Sequence, residues 1–229
     1  KRGGGGATER NRKGHERNRR SLSQRSFSAS APSQRSRTAD PARLVAFEVL
    51  RAVAESDAYA NLVLPKTIRA HRLDHRDAGL ATELTYGTLR NQGTYDAVLA
   101  RCADRPLHKI GTTTLIILRM GAHQLLKMRV PAHAALNQSV SLARERIGSG
   151  PSGFINAVLR RVSERTADEW FELIEAESKD ETERMGFATS HPAWIVRAMR
   201  QALAAHGRDP QEIRALLEAN NVSPVVNLV

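Results

Sequence analysis

The sequence of 229 residues has one cysteine, few aromatic residues (4%) and no apolar run near the roughly 20 residues that cross a bilayer. The lone Cys102 excludes an intramolecular disulfide framework and is typical of a reducing compartment, so we expect a cytoplasmic protein without a membrane segment. Because aromatic residues are scarce, the core must be built mainly from Leu, Val, Ile and Ala.

The sequence also lacks the patterns that hold nucleotides or methyl donors. Such sites need a strand, a Gly-rich turn and a helix N-terminus in succession. The glycines lie in the first 38 residues, inside helical patterns or in the turn GSGPSG (148–153). That turn is not a nucleophile elbow, because the serine of a G-x-S-x-G motif follows a strand. We therefore predict no cofactor-binding residue in this chain.

Neither a thiol nucleophile nor a metal centre is indicated. Cys102 lies near the end of a predicted helix, whereas an activated thiol needs a helix N-terminus or a neighbouring cation, so we expect a packed thiol. His123 and His133 fall on different predicted helices without a cluster of Cys or carboxylates, and a zinc site needs three or four converging ligands. No catalytic residue and no metal-binding residue is predicted.

The net charge of +11 is concentrated at the N-terminus. Residues 1–38 contain 11 Lys/Arg and two acidic residues, whereas residues 39–229 contain 24 Lys/Arg and 22 Asp/Glu. A segment so poor in apolar residues cannot offset its ordering entropy, so we predict a disordered tail over residues 1–38. A basic tail can neutralise RNA phosphates with little sequence preference. The predicted RNA-binding residues of the tail are Arg12, Lys13, Arg17, Arg19 and Arg20.

Two other interpretations of the tail stay open. It could be a solubilising leader without a partner, or a transit peptide, since it is rich in Arg and Ser and poor in acids. The glycine run at residues 3–6 and the absence of an amphipathic pattern disfavour a transit peptide.

Helical periodicity begins at Asp40, which precedes Pro41 in the manner of a helix start. Apolar residues then recur at spacings of three and four through several segments. We predict helices through PARLVAFEVLRAVAE, ANLVLPKTIRA with a disturbance near Pro65, LDHRDAGLATELTYGTLR, and residues 95–103. No strand pattern precedes residue 222, so the predicted fold class is all-α.

Glycines and polar residues inside these helices carry further expectations. Gly79 and Gly87 indicate close helix approach rather than helix breaks. In the stretch ILRMGAHQLLKMRVPAHAALNQSV (117–140), Arg119, His123 and Lys127 are spaced four apart on an otherwise apolar helix. We predict a central helix with a polar strip rather than a reaction centre.

Two more helices complete the bundle before residue 165. The first is predicted to bury a stripe formed by Leu136, Val140, Ala143 and Ile147. The second follows GSGPSG and is amphipathic, with an outer face that carries Arg160, Arg161 and Arg165 and an inner face formed by Phe154, Ile155, Val158, Leu159 and Val162.

The C-terminal 64 residues, 166–229, are predicted to be a helical connector. Thr166 with Glu169, and Asp209 with Glu212, match capping boxes. Helices are predicted through ADEWFELIEAE, PAWIVRAMRQALAAH and DPQEIRALLEANN, with Trp170 and Trp194 as packing residues. The closing VSPVVNLV has the pattern of a strand entry, and the chain begins with Lys rather than Met. We therefore expect the complete protein to be longer.

Three blocks, ATELTYGTLR (81–90), residues 117–143 and GFINAVLRR (153–161), resemble in order and spacing the NusB-like RNA-binding fold. They are most similar to the version that precedes the RsmB/Sun-type 16S ribosomal RNA cytosine-5 methyltransferases. The phrase SHPAWIV (190–196) resembles the segment that joins that domain to the methyltransferase portion. The resemblance implies a NusB-like RNA-binding helical domain at 39–165 and a connector with the start of the methyltransferase portion at 166–229. The disordered basic tail at 1–38 is not part of the family pattern, and its predicted role depends on its charge alone.

The resemblance implies small-subunit ribosomal RNA as a partner, a downstream catalytic domain of the same protein as a second, and S-adenosylmethionine as methyl donor of the complete enzyme. The Gly-rich donor site and the two cysteines of that catalytic domain have no counterpart here, so no catalytic residue carries over. NusB-like domains contact RNA near the start of their first helix, which places Arg43 among the expected RNA-binding residues. Arg43 could equally extend over the edge of the bundle as a structural side chain.

Two alternative functions stay open at this point. The chain could be a stand-alone NusB-type transcription antitermination factor, although such factors end near the equivalent of residues 161–165. It could also be a protein-docking helical domain in which only the tail touches RNA.

Overall fold

The computed structural model describes residues 39–222, and all of them belong to one compact unit. Eleven α-helices follow one another within these residues: α1 (Pro41–Ser56), α2 (Ala60–Ala70), α3 (His75–Arg90), α4 (Gln92–Cys102), α5 (Thr112–Leu126), α6 (Ala132–Arg146), α7 (Ser152–Val162), α8 (Ala167–Glu177), α9 (Glu181–Thr189), α10 (Ala193–Ala205) and α11 (Ile213–Asn220). Short 3₁₀ turns at Leu107–Lys109 and Pro210–Glu212 precede α5 and α11.

No strand occurs between residues 39 and 222, which confirms the all-α prediction for the part of the chain that the structure describes. Within the same residues, none of the helices combines the length and hydrophobicity that a transmembrane span requires. The predicted tail at 1–38 and the predicted strand after residue 222 lie outside the described residues.

Aspartate side chains cap the starts of α1 and α3, and the start of α1 at Asp40 and Pro41 is the predicted one. The Asp40 carboxylate accepts a hydrogen bond of 3.1 Å from the Arg43 backbone N–H, and Pro41 occupies the first turn. The Asp74 carboxylate accepts one of 2.8 Å from the Asp77 N–H. These caps satisfy first-turn donors that have no partner inside a helix. Helix α2 continues through Pro65.

Helix α5 is central in the bundle, as predicted. It packs against α1, α3, α4, α6 and α7. Its apolar side chains join one large core cluster, in which Ile117, Leu118 and Met120 are fully buried. Helix α8 adds Trp170 and Ile174 to the same cluster, so the core continues past residue 165. A smaller cluster fastens α2 onto α1 and α3.

The prediction of close helix approach is correct at Gly87 and wrong at Gly79. A Cβ atom at Gly87 would lie 2.3 Å from the His123 imidazole, so α3 and α5 can approach only because residue 87 has no side chain. Gly79 faces open space, with no atom within 4 Å of such a Cβ. The two glycines lie on the same helix, but the His123 ring faces Gly87 whereas no atom faces Gly79.

Two predicted burial patterns need correction. In α6 the buried face is formed by Ala135, Ser139, Ser141, Leu142 and Ala143, so Ala143 is the one residue of the predicted stripe that is fully buried. Leu136, Val140 and Ile147 are only half-buried. The neighbouring helices α5 and α7 pack against a face of α6 that is displaced by about one residue from the predicted stripe. Trp194, predicted to pack, is 63% exposed on the first turn of α10.

The C-terminal helices also differ from the prediction in number and in one cap. Helix α9 is not predicted from periodicity, although Asp180 and Glu183 have the spacing of a capping pair, and the Asp180 carboxylate accepts from the Glu183 N–H at 2.8 Å. The predicted capping box at Asp209 does not form. The Asp209 carboxylate accepts from the Gln211 N–H, and Glu212 pairs with Arg208 instead.

Candidate nucleic-acid interface

The predicted RNA-binding residues separate into two groups. Arg12, Lys13, Arg17, Arg19 and Arg20 belong to residues 1–38, outside the residues that the structure describes. Arg43 lies inside, in the first turn of α1.

Arg43 is held by the bundle. Its Nε donates a hydrogen bond of 2.8 Å to Gln124 Oε1 on α5, and its Nη1 lies 3.3 Å from the Asp40 carboxylate. Only 8% of the residue is exposed. Gln124 is itself fixed, because its Nε2 donates to the Met120 carbonyl oxygen at 3.1 Å. Arg43 therefore joins the start of α1 to the central helix, and only an edge of its guanidinium can reach a ligand.

The polar strip of α5 and its C-cap contact two neighbouring helices: Arg119 and His123 contact α4, and Lys127 contacts α8. Arg119 makes a bidentate ion pair with Asp96 of α4, with two contacts of 2.7 Å. His123 is buried, and its Nδ1 shares a hydrogen bond of 2.7 Å with the Tyr95 hydroxyl. Lys127 Nζ lies 5.1 Å from the centre of the Phe171 ring on α8. These contacts join α5 to its neighbours, as the predicted polar strip on a central helix requires.

His123 also approaches a carboxylate on α3. Its Nε2 lies 3.3 Å from Glu83 Oε1 but is not aligned for a hydrogen bond. Burial lowers the pKa of His123 below its usual value, and the attraction of Glu83 opposes this shift without cancelling it. Burial has the opposite effect on Tyr95: it raises the pKa of the hydroxyl, and the charge of Glu83 adds a smaller increase. Both groups therefore stay uncharged at neutral pH.

The remaining candidates are Cys102, the GSGPSG turn and the possible metal ligands. Cys102 is buried in the main core, and burial raises the pKa of its thiol to about 11, so it stays protonated. This confirms the packed thiol. The GSGPSG turn separates α6 from α7, with Gly148 in the left-handed region at φ 90°. Between residues 39 and 222, no group of three or more His, Cys, Asp and Glu could hold a metal ion.

S-adenosylmethionine has no matching site in the described residues. Its usual cradle combines a strand, a Gly-rich turn and a helix N-terminus, and residues 39–222 contain no strand.

Most arginines of the described region have a partner within the protein. Ion pairs join Arg146 to Glu48, Arg101 to Glu177 and Arg105 to Asp104, and similar pairs hold arginines of α10, α11 and the turn before α11. Such pairs lower the charge available to an anionic ligand.

The α7 arginines behave differently from each other. Arg161 Nη1 donates a hydrogen bond of 2.8 Å to the Cys102 carbonyl oxygen at the end of α4, so it serves intramolecular pairing. Arg160 is exposed one residue earlier.

Sequence reasoning overlooks a group of cations around α2. Lys66, Arg69, Arg72 and Arg76 are all exposed, and no carboxylate within residues 39–222 lies at ion-pair distance from any of them. The signal that could have found them is local. No acidic residue occurs between Asp57 and Asp74, although three of these four cations do.

Curated proteins similar to the chain extend far beyond it. A Mycobacterium tuberculosis protein named as a methyltransferase is 43% identical over 195 residues, which cover 85% of this chain and 42% of that protein. The ribosomal RNA small subunit methyltransferase B of Pseudomonas putida is 32% identical over 182 residues, covering 80% of this chain and 38% of that protein. The chain thus spans about two-fifths of the length of these relatives.

A solved structure and a family model both concern the helical bundle. The structure of antitermination factors NusB and NusE in complex with double-stranded RNA aligns with a TM-score of 0.50 at 17% identity, covering 58% of this chain and 98% of that one. At this identity the likeness shows the fold, a NusB helical bundle. The model of the NusB family matches residues 40–164, more than half of the chain, and the chain therefore belongs to the NusB family.

Proposed function

We propose that the chain is the N-terminal, noncatalytic RNA-binding part of an S-adenosylmethionine-dependent ribosomal RNA (cytosine-C5) methyltransferase. The observation that carries this proposal is the alignment of 195 residues with the M. tuberculosis methyltransferase-named protein. Only 39 residues precede the NusB family match, and that match ends at residue 164. The alignment must therefore include part of the C-terminal helices, which a bundle of the NusB family alone does not need.

The proposed substrate is small-subunit ribosomal RNA, as in the name of the P. putida relative. A protein of the same fold has been solved with double-stranded RNA, which supports an RNA-binding role for the bundle. We place the methyl donor, the donor-binding loop and the nucleophilic cysteine in a catalytic domain outside this chain. That domain is the second proposed partner, and the cytoplasm, where ribosomal RNA is modified, is the proposed location.

Two parts of the chain are proposed to contact RNA. The tail residues Arg12, Lys13, Arg17, Arg19 and Arg20 would neutralise phosphates without reading sequence. Arg43 would add a contact at the edge of the bundle, where RNA must compete with Asp40 and Gln124 for its guanidinium.

The test measures RNA binding and methyl transfer on the same sample. Chain 1–229 should bind labelled small-subunit ribosomal RNA with an affinity that falls steeply with salt, and it should transfer no labelled methyl group from S-adenosylmethionine. Removing residues 1–38 should weaken binding and lower the salt slope, because most of the excess positive charge leaves with them.

Each result decides between the rival functions. Incorporation of methyl groups by the isolated chain would contradict the noncatalytic assignment. Salt-independent or absent RNA binding would favour a protein-docking helical domain. A strong preference for an antitermination RNA over ribosomal RNA would favour a stand-alone NusB-type factor.

A further inference from the structure

The outer face of α2 combines exposed apolar and cationic side chains. Tyr59 precedes the helix and is 74% exposed, and Leu62 is 59% exposed. Lys66 and Arg69 follow at spacings of four and three residues, so all four side chains lie on one face of the helix. The opposite face, with Leu64 buried, packs onto α1 and α3.

The cations continue beyond the end of the helix. Arg72 lies in the turn after α2 with φ 51°, in the left-handed region that non-glycine residues rarely adopt. Arg76 follows on the first turn of α3. Asp74, the acidic residue of this turn, accepts a hydrogen bond from the Asp77 N–H and has no ion pair with any of the four cations. Neither Arg72 nor Arg76 therefore has an ion-pair partner in this turn, which also carries the Asp74 and Asp77 carboxylates.

We propose that this α2 face, defined as Tyr59, Leu62, Lys66, Arg69, Arg72 and Arg76, binds single-stranded RNA; the inference rests on the proposed RNA-binding function and assigns it a surface within the bundle. The four cations contact successive backbone phosphates, and the Tyr59 ring stacks on an unpaired base.

Charge and geometry both favour RNA over a protein as the occupant. Unpaired Lys and Arg retain their full charge for phosphates, whereas the ion-paired arginines elsewhere in residues 39–222 do not. From Tyr59 to Arg69 the helix rises about 15 Å, at roughly 1.5 Å per residue, which is long enough to follow a few nucleotides. An exposed aromatic ring beside a basic groove is the usual platform for an unpaired base, because every base has a π-face.

The surface also complements the tail. The tail cations are spread along a segment that the sequence predicts to be disordered, whereas the α2 face has two cations on α2, one in the following turn and one on α3. Tail and face should therefore contribute differently. The tail supplies charge only, and the α2 face supplies charge together with stacking.

The experiment compares two double variants of the full chain that lose the same charge. Lys66→Gln with Arg69→Gln removes one Lys and one Arg from the α2 face. Lys179→Gln with Arg197→Gln removes one of each from exposed positions in the C-terminal part, the first between α8 and α9 and the second on α10. Binding to a labelled single-stranded fragment of small-subunit ribosomal RNA is measured by fluorescence anisotropy over a range of salt concentrations.

The α2 variant should bind about tenfold more weakly at physiological salt, with the slope of log K against log salt reduced by about 1.4, since each lost single-strand phosphate contact reduces it by about 0.7. The C-terminal control should change affinity by about twofold at most. Circular dichroism should show unchanged helix content in both, because all four side chains point into solvent.

A third variant separates stacking from charge. Tyr59→Ala should weaken binding about fivefold or more and leave the salt slope unchanged, whereas Tyr59→Phe should bind like the wild type. If the wild-type chain binds RNA but both α2-face variants bind as tightly as the control, the inference fails and the proposed function stands. If the wild-type chain binds no RNA, both fail. A loss of binding to a protein partner with RNA affinity intact would assign the face to protein and overturn the inference.

Discussion

The bundle formed by α1–α7 and the C-terminal helices α8–α11 are stabilised in different ways. Helices α4, α5, α6 and α7 all begin without a side-chain cap, yet they surround one large buried core. By contrast, α8 begins with a complete capping box at Thr166 and Glu169, and α9 begins with the Asp180 cap. The last two helices share a core of only three buried residues, Val196, Ile213 and Leu217.

The difference shows where each part obtains its stability. Helices α4 to α7 depend on contacts between residues distant in sequence, because their starts lack a side-chain cap, whereas α1 and α3 also have the Asp40 and Asp74 caps. Helices α8 and α9 have local caps, whereas α10 and α11 begin without one and combine a small core with ion pairs at spacing i, i+4 such as Arg214 with Glu218. Such surface pairs contribute little individually, so α10 and α11 should open more readily than α5.

The two tryptophans test this comparison with the largest expected effect. Trp170 is 5% exposed and donates a hydrogen bond of 2.9 Å to the Val162 carbonyl oxygen, whereas Trp194 is exposed. Trp170→Ala should lower the free energy of unfolding by about 3–5 kcal/mol, because it leaves a cavity in the main core. Trp194→Ala should change it by about 0.5 kcal/mol or less. Urea unfolding measures both, and equal losses would show that α10 packs as tightly as α8.

The two glycines of α3 provide the next contrast, within a single helix. Gly87→Ala should destabilise the protein by about 1–3 kcal/mol, because the new methyl group meets the His123 ring, which cannot move without disturbing Tyr95. Gly79→Ala should stabilise it by about 0.5–1 kcal/mol, since the site is open and Ala favours helix. Thermal unfolding distinguishes the two. A gain in stability at Gly87 would disprove the close contact between α3 and α5.

Buried His123 makes the stability of the bundle depend on pH. Its folded-state pKa lies below the ordinary 6.5, so the unfolded chain binds this proton more readily. Stability is therefore fully present above 6.5 and falls as the pH drops through 6.5 towards the folded-state pKa, by about 1.4 kcal/mol per pH unit at most. Groups facing the ring are Glu83, Tyr95, Arg90 and Lys127.

Urea midpoints over the pH range from neutral to mildly acidic measure this dependence. His123→Gln should have a shallower pH dependence than the wild type, and His108→Gln, at an exposed position in the first 3₁₀ turn, should retain the wild-type slope. Equal slopes in all three proteins would mean that other groups cause the pH dependence.

The sequence predicts features that depend on neighbouring residues and fails on those that depend on distant ones. Helix α8 is predicted at its observed ends because Thr166 and Glu169 form a local motif. The central position of α5 follows from its apolar composition. The partner of His123 could not be predicted, because Tyr95 lies 28 residues earlier and reaches it only through the packing of α4 on α5.

The same reasoning explains the errors at the candidate site. Which face of α6 is buried depends on where α5 and α7 lie, so the predicted stripe was displaced. Whether Arg43 is free or held depends on Gln124, 81 residues away. The unpaired cations of the α2 face were predictable in part, since the absence of acids between Asp57 and Asp74 is visible in the sequence. Their exposure depends on how α2 packs.

The smallest expected effect concerns two helix starts, the capped start of α8 and the uncapped start of α7. Thr166→Ala removes the hydroxyl that accepts from the Glu169 N–H at 3.3 Å, and it should destabilise the C-terminal helices by about 1 kcal/mol. Ser152→Ala, at the start of uncapped α7, should be neutral or slightly stabilising. Its buried hydroxyl has no hydrogen-bond partner among residues 39–222, so its removal relieves a desolvation cost. Because the local cap matters at α8 and not at α7, hydrogen exchange of the first-turn amides should increase in the Thr166 variant alone; an increase in both would mean that the bundle also depends on its helix starts.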